Sequence, residues 1–386
     1  MRVSFFFTNP LTVFGGFEKI LGIVINYLEK KGIETILCKL IGEKEQIPDR
    51  SAWIELYRHH PRLFVVKYSW PFFLAERSAR WIGEIRISEN HEFFENLRDV
   101  DVAIVNYPFL LKPIYSLLQR IGSKSKIVGW FHDWLYAGST RFKRGVKKVL
   151  APFLIPSHLK SADLVLAISS GIAEKIEKFS PRTPVSIVYN PVLTDDYENI
   201  PPVKRSNRPI FAYVGRLVNP HKNLKFMFKG LSMLGYDWKL KIIGEGPDED
   251  MLKEYSKKLG IQDRIEWLGF SKEPYELLRD EGVTALLLTS NFEGLGLVLI
   301  EAISYGIPVI SSDCETGPRD IVVEGVNGYL YKPGDLRDFV EKVNGLVTGK
   351  LKVASPEEMR KTVKKFQIDV VCEKIYNELV KLVEKI

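Results

Sequence analysis

Two carboxylates with seven residues between them, Glu293 and Glu301, are the chain's most suggestive chemical pair. Glu293 lies in the segment Thr289-Ser290-Asn291-Phe292-Glu293-Gly294-Leu295-Gly296-Leu297. The run Thr284–Thr289 reads as a strand and a helix is expected to open near Leu297, so that helix's free N–H groups would point into the glycine loop and favour an anion there. Glu301 falls on the otherwise apolar stretch Leu297–Ile303. Burying an unpaired carboxylate is expensive, so Glu301 requires a basic side chain or a bound ligand.

Other strand-end loops carry charge or glycine. Tyr213-Val214-Gly215-Arg216 continues to Lys222, and both fixed cations can reach a diphosphate, Arg216 as a planar fork and Lys222 as a point charge. The alternative for this pair is solvated surface charge. Gly15-Gly16 follows the first apolar run and opens a helix, which lets the backbone approach an anion or simply makes a tight turn. No full GxGxxG is present, so a nicotinamide dinucleotide fingerprint is not supported. His132-Asp133 comes directly after Lys126–Phe131, where a strand-end catalytic residue would sit. Thr316-Gly317-Pro318 reads as the cap and first position of another helix facing the same edge. Asp248-Glu249-Asp250 spells DxD, but it opens a helix, where acidic residues balance the macrodipole, and no metal is expected there.

The elements that must position these groups are short Val/Ile/Phe-rich runs alternating with amphipathic stretches, the pattern of buried parallel strands joined by helices. In the first half the strands are expected at Arg2–Phe7, Glu34–Cys38, Asp101–Asn106, Lys126–Phe131, Asp163–Ile168 and Ser186–Tyr189. In the second they are expected at Ile210–Val214, Lys239–Ile243, Arg264–Trp267, Thr284–Thr289, Pro308–Ser311 and Gly328–Tyr331. The fold class is therefore α/β, with domains over 1–190 and 210–355, a linker over 191–209 and a helical segment over 356–386 that packs back on the first domain. A chain of 386 residues with 45% apolar and 27% charged residues supplies core for two such units and excludes collagen-like, disordered and disulfide-stapled classes.

Formal charge is +7 and unevenly split. Residues 1–190 hold 27 Lys+Arg against 18 Asp+Glu, or +9, leaving 28 against 30, or −2, for the rest. The densest basic run, Arg141-Phe142-Lys143-Arg144-Gly145-Val146-Lys147-Lys148, precedes the apolar Val149–Pro156, a combination suited to an anionic membrane surface. Three cysteines without metal-ligand spacing, and no signal-like or spanning stretch, lead to the expectation of a cytoplasmic protein attached peripherally to the inner leaflet.

Taken together these segments resemble the retaining glycosyltransferases of family 4, whose GT-B fold sets two Rossmann-like domains across a cleft. The resemblance implies that Gly15 and Gly16 belong to a loop beside the donor phosphates and that Gly215, Arg216 and Lys222 form a diphosphate site. It also implies that Glu293, with Gly294, Gly296 and Leu297, holds the donor sugar, that Glu301 binds the ribose and that His132 lies near the transferred sugar. The segments Leu166-Ala167-Ile168-Ser169-Ser170-Gly171-Ile172, Phe292-Glu293-Gly294 and Val326-Asn327-Gly328-Tyr329-Leu330 are similar to bacterial lipopolysaccharide 1,6-galactosyltransferases. That similarity implies a UDP-sugar donor and a glycan or glycolipid acceptor, with no cofactor, no metal and no nucleic acid. A nucleotide-sugar epimerase of similar architecture would use the same donor site. A non-enzymatic basic lipid- or nucleic-acid-binding protein would explain the charge but not the glycine–glutamate loop.

Overall fold

The computed structural model describes residues 1–8, 16–42, 46–47, 49, 60–68, 91–132, 155–194, 196–204, 206 and 208–384. Gly15, Asp133, the Arg141–Lys148 run, the apolar stretch through residue 154 and most of Trp53–Phe94 lie outside the described residues. Among those described, no helix is long and apolar enough to cross a membrane. Cys38, Cys314 and Cys372 are buried and unbonded to one another.

Two parallel sheets carry the chain. The first contains β1 (Arg2–Phe7), β2 (Glu34–Gly42), β3 (Leu63–Tyr68), β4 (Val102–Val105), β5 (Lys126–Phe131), β6 (Leu164–Ala167) and β7 (Val185–Ile187), in the order β3-β2-β1-β4-β5-β6-β7. The second contains β8 (Ile210–Val214), β9 (Lys239–Ile243), β10 (Ile265–Gly269), β11 (Ala285–Leu288), β12 (Val309–Ser312) and β13 (Gly328–Tyr331), ordered β10-β9-β8-β11-β12-β13. Strands such as Val-Ala-Ile-Val of β4 and Ala-Leu-Leu-Leu of β11 are buried along their whole length because helices cover both sheet faces. The Gly16–Lys30 helix supplies one such cover, burying Ile20, Leu21, Val24, Ile25 and Leu28 at helical spacing.

Each sheet starts in its middle, builds outward, then returns to the other side of its first strand. That reversal leaves a crevice at the carboxyl ends of β1 and β4 in one sheet and of β8 and β11 in the other, where open α/β sheets bind ligands. The Gly16 helix follows β1, Arg216 follows β8 and Glu293 follows β11. His132 follows β5, the neighbour of β4. Topology thus brings the chemistry-bearing loops to the crevice edges.

Two features differ from expectation. The edge strand β3 was not anticipated, and β2 runs four residues beyond Cys38, to Gly42. Lys39 interrupts the apolar run, yet it is 3% exposed because its ammonium donates to the carbonyls of Thr8, at 2.7 Å, and Leu40, at 3.0 Å. The 191–209 segment connects the sheets, but much of it is tied down. Leu193 bridges to Gln367, Tyr197 is buried, and the Arg360 guanidinium donates to the carbonyls of Ser304 at 2.8 Å, Glu198 at 3.0 Å and Ile200. The terminal Ile368–Glu384 helix lies against the first domain, with Glu373 accepting from Tyr27 Oη at 2.5 Å and pairing with Lys31 Nζ at 2.9 Å.

Candidate active site

The second-domain half of the site is two loops pinned together. Asn219–Lys222 is a single helical turn ended by Asn223 at φ 52°, a left-handed conformation that asparagine tolerates. Thr289 Oγ1 donates to the carbonyls of Lys222 at 3.0 Å and Asn223 at 3.2 Å, and Asn291 Nδ2 donates to Pro220 O at 3.0 Å. The His221 ring stacks on Phe292 with centroids 4.1 Å apart, and its Nε2 donates to the Phe292 carbonyl at 2.9 Å.

This scaffold sets Lys222 Nζ 2.6 Å from Glu293 Oε1. Ser290 Oγ donates to the same oxygen at 2.6 Å, whereas Oε2 makes no hydrogen bond among the described residues. Glu293 is 9% exposed. Burial alone would raise its pKa, but the charges of Lys222 and His221 and the two hydrogen bonds outweigh it and hold the carboxyl below its usual range. The group is therefore an ionised acceptor, unsuited to donating a proton. Lys222, expected as a diphosphate ligand, is thus already engaged by Glu293, with two of its three N–H donors remaining.

Arg216 is exposed and forms no ion pair among the described residues. Its loop is fixed from below by the turn after β9, a contribution the sequence reading missed. Gly244, at φ +139°, packs so closely that a Cβ there would lie 2.0 Å from Gly215 O. Gly215 N donates to Ile243 O at 3.0 Å and Leu217 N to Glu245 O at 2.9 Å. The signal was present in Gly244-Glu245-Gly246-Pro247. Asp248 does not cap its own helix with its side chain; it accepts from Asn219 N at 2.7 Å and so supports the Lys222 turn. Among the described residues no group of three or more His, Cys, Asp or Glu gathers as a metal site.

The Leu297–Ser304 helix begins after Gly296, at φ +95°, so its first N–H groups face the loop as expected. Glu301 Oε2 accepts from Tyr275 Oη at 3.4 Å, and Oε1 lies 3.8 Å from Lys19 Nζ of the first domain. Burial raises its pKa, with Lys19 and the Tyr275 hydrogen bond opposing. The helix after Gly317 opens with Pro318 at its first position, as expected. It spans only Pro318–Ile321, and its Asp320 accepts from Ser170 N of the first domain at 2.7 Å and from Tyr189 Oη at 3.4 Å. That turn also joins the domains.

From the first domain, Gly16 approaches Leu297, whose Cδ1 would lie 3.5 Å from a Cβ on that glycine. His132 packs edge-on to Trp130, centroids 4.4 Å apart, and to Phe17 at 4.9 Å. Its buried Nε2 has no hydrogen-bond partner among the described residues, and burial pulls its pKa down to about 3, so the imidazole is neutral. The two halves touch where the His132 carbonyl meets Gly294, at which an added Cβ would lie 2.0 Å from that oxygen. The loop of Glu293 and the backbone of His132 are thereby in contact across the domain boundary.

Comparison with known proteins matches residues 14–196 to the family described as Glycosyltransferase Family 4 and residues 196–366 to Glycosyl transferases group 1. The lipopolysaccharide 1,6-galactosyltransferase of Salmonella typhimurium is 37% identical over 287 residues, covering 70% of this chain and 77% of that protein. Among solved structures, the apo form of the lipopolysaccharide outer core galactosyltransferase WaaB superposes with a TM-score of 0.77 at 29% identity, over 100% of both chains. Anabaena HepE in complex with UDP gives a TM-score of 0.73 at 18% identity, over 99% of this chain and 100% of that one, a likeness of fold.

Proposed function

The chain belongs to the family 4, group 1 glycosyltransferases and has the GT-B fold, and on that premise we propose that it transfers a hexose from a UDP-sugar to a lipopolysaccharide-type glycan or glycolipid, with retention and without a metal. The observation that carries the proposal is the Glu293 carboxylate, ionised by Lys222 at 2.6 Å and with no hydrogen bond to Oε2 among the described residues, on the loop whose Gly294 meets the backbone of His132, a residue whose Nε2 is likewise without a partner there. Sugar hydroxyls answer that pattern: one donates to Glu293 Oε2 and another satisfies the imidazole nitrogen.

Departure of the diphosphate adds negative charge to its oxygen. In this proposal Arg216, the spare donors of Lys222 and the N-terminus of the Leu297–Ser304 helix receive that charge, which lowers the barrier. In the retaining chemistry of the family the acceptor oxygen bonds to the anomeric carbon on the face from which the diphosphate leaves. The carbon–oxygen bond to phosphate breaks, and the acceptor's hydroxyl proton passes to the departing phosphate oxygen. No protein nucleophile is assigned. Glu301 receives the ribose hydroxyls.

The galactosyltransferase relative favours galactose as the sugar. The +9 charge of residues 1–190 favours an anionic membrane surface in the cytoplasm as the place where a lipid-linked acceptor is met. A donor screen tests the reading: UDP release from UDP-galactose should exceed release from GDP- or ADP-sugars and rise with an acceptor. Nucleotide release from UDP-galactose that is absent, or no greater than from GDP- or ADP-sugars, would remove it.

A further inference from the structure

Each glutamate of the pair has a lysine near it. Lys222 and Glu293 belong to one domain and form a short, buried contact of 2.6 Å. Lys19 and Glu301 come from opposite domains and are of another kind: 3.8 Å apart, beyond hydrogen-bond range, with the Lys19 side chain 50% exposed. A pair so loose and so wet binds weakly.

Lys19 stands one turn into the Gly16–Lys30 helix, and helical side chains lean toward the helix N-terminus. Its ammonium is thereby carried to the rim where Gly16 faces Leu297, the meeting point of two helix N-termini. Each helix N-terminus carries a partial positive charge that favours an anion nearby. Glu301, for its part, is a poorly satisfied carboxylate. Burial raises its pKa, and its one hydrogen bond among the described residues, from Tyr275 Oη, is long at 3.4 Å. A vicinal diol offers it two short donors in place of a distant ammonium.

From this we propose that Lys19 is a phosphate ligand of the nucleotide sugar, parked on Glu301 while the cleft is empty and released to the diphosphate when Glu301 takes the ribose. The inference rests on the nucleotide-sugar reading above. Arg216 and Lys222 both belong to the second domain, so Lys19 would be the cation through which the first domain grips the donor. Nucleotide binding would then exchange one interdomain ion pair for another, and the closed arrangement of the domains would depend on the phosphates.

Isothermal titration of uridine, UMP and UDP against the wild-type chain, Lys19→Met and Lys19→Arg tests this. Lys19→Met should weaken UDP about tenfold and UMP less, because a charge-assisted phosphate contact is lost. Uridine should hold its affinity or gain up to about threefold, because its competitor for Glu301 is gone. Lys19→Arg should bring UDP back to within about threefold, since a guanidinium also binds phosphate. A purely structural role for Lys19 would shift all three ligands by one factor. That result, or a UDP affinity unmoved in Lys19→Met, overturns the proposal while leaving the donor site intact. Failure of the wild-type chain to bind UDP would instead strike the nucleotide-sugar reading itself, and this inference with it.

Discussion

Replacing Lys222 by methionine isolates the charge that holds Glu293. The carboxylate is 9% exposed and the lysine side chain 15% exposed, so the pair lies in the regime where removing one partner costs about 3–5 kcal/mol. Ser290 Oγ remains at 2.6 Å and continues to donate, which places the expected loss near the lower end, about 3 kcal/mol at pH 7.5. In the wild type Glu293 has a lowered pKa, so its contribution to stability is present above the ordinary carboxylate value and is lost as pH falls through the lowered one. In Lys222→Met burial is no longer outweighed, the pKa rises, and the deficit should shrink as acid protonates the group. Urea denaturation at pH 7.5 and pH 5, completed as a cycle with Glu293→Gln, measures it. The double variant should return to within about 1 kcal/mol of wild type, because no buried charge is left unpaired. Its sugar transfer should nevertheless stay more than about 100-fold down, since the ionised acceptor and the phosphate cation are both gone. A single-variant deficit that is negligible or identical at the two pH values would refute the electrostatic account, and a double variant that transfers normally would refute the functional one.

Three other outcomes follow from the same geometry. Gly294→Ala should cut transfer at least about tenfold, because its Cβ would fall 2.0 Å from the His132 carbonyl and push the domains apart; unchanged kcat in a folded variant would contradict that contact. His132, with its pKa drawn down to about 3 from 6.5, contributes stability that is complete above about pH 6.5 and is lost as pH falls toward 3. Between pH 7 and 5 this amounts to about 2 kcal/mol, so His132→Gln should flatten the acid limb of the melting profile, and a variant whose acid limb is as steep as wild type would count against it. Adding a chelator should leave the transfer rate unchanged; abolition reversed by a divalent ion would end the metal-free proposal.

The two-sheet architecture was legible because parallel strands buried on both faces write themselves as unbroken apolar runs, as in Ile210–Val214 and Lys126–Phe131. Where a strand violates that rule it was lost. Lys39 truncated β2 in the reading, since nothing local reveals that the Thr8 carbonyl will receive its ammonium. Among the described residues the edge strand β3 pairs only with β2, and its sequence includes Lys67, so its pattern is mixed. Loop chemistry was legible as residue types at strand ends, and the chain reversal in the second sheet explains why the loops after β8 and β11, which carry Lys222 and Glu293, meet. Their partners were not. Lys222 and Glu293 are 71 residues apart, and Lys19 reaches Glu301 from another domain, so neither pairing leaves a trace in local spacing. The Gly317 helix was legible at its start, which Pro318 marks, while the Asp320 contact with Ser170 depends on the facing domain and was not.

The central claim is that the cleft breaks a sugar–diphosphate bond and remakes it to an acceptor on the same face. Time-resolved NMR of the chain with UDP-galactose and a truncated lipopolysaccharide acceptor reads both halves at once. The account predicts UDP and glycoside appearing together, the first-formed glycoside carrying the donor's anomeric configuration, and both signals absent with Glu293→Ala. An inverted first product, or a Glu293→Ala chain that transfers as wild type does, would contradict it.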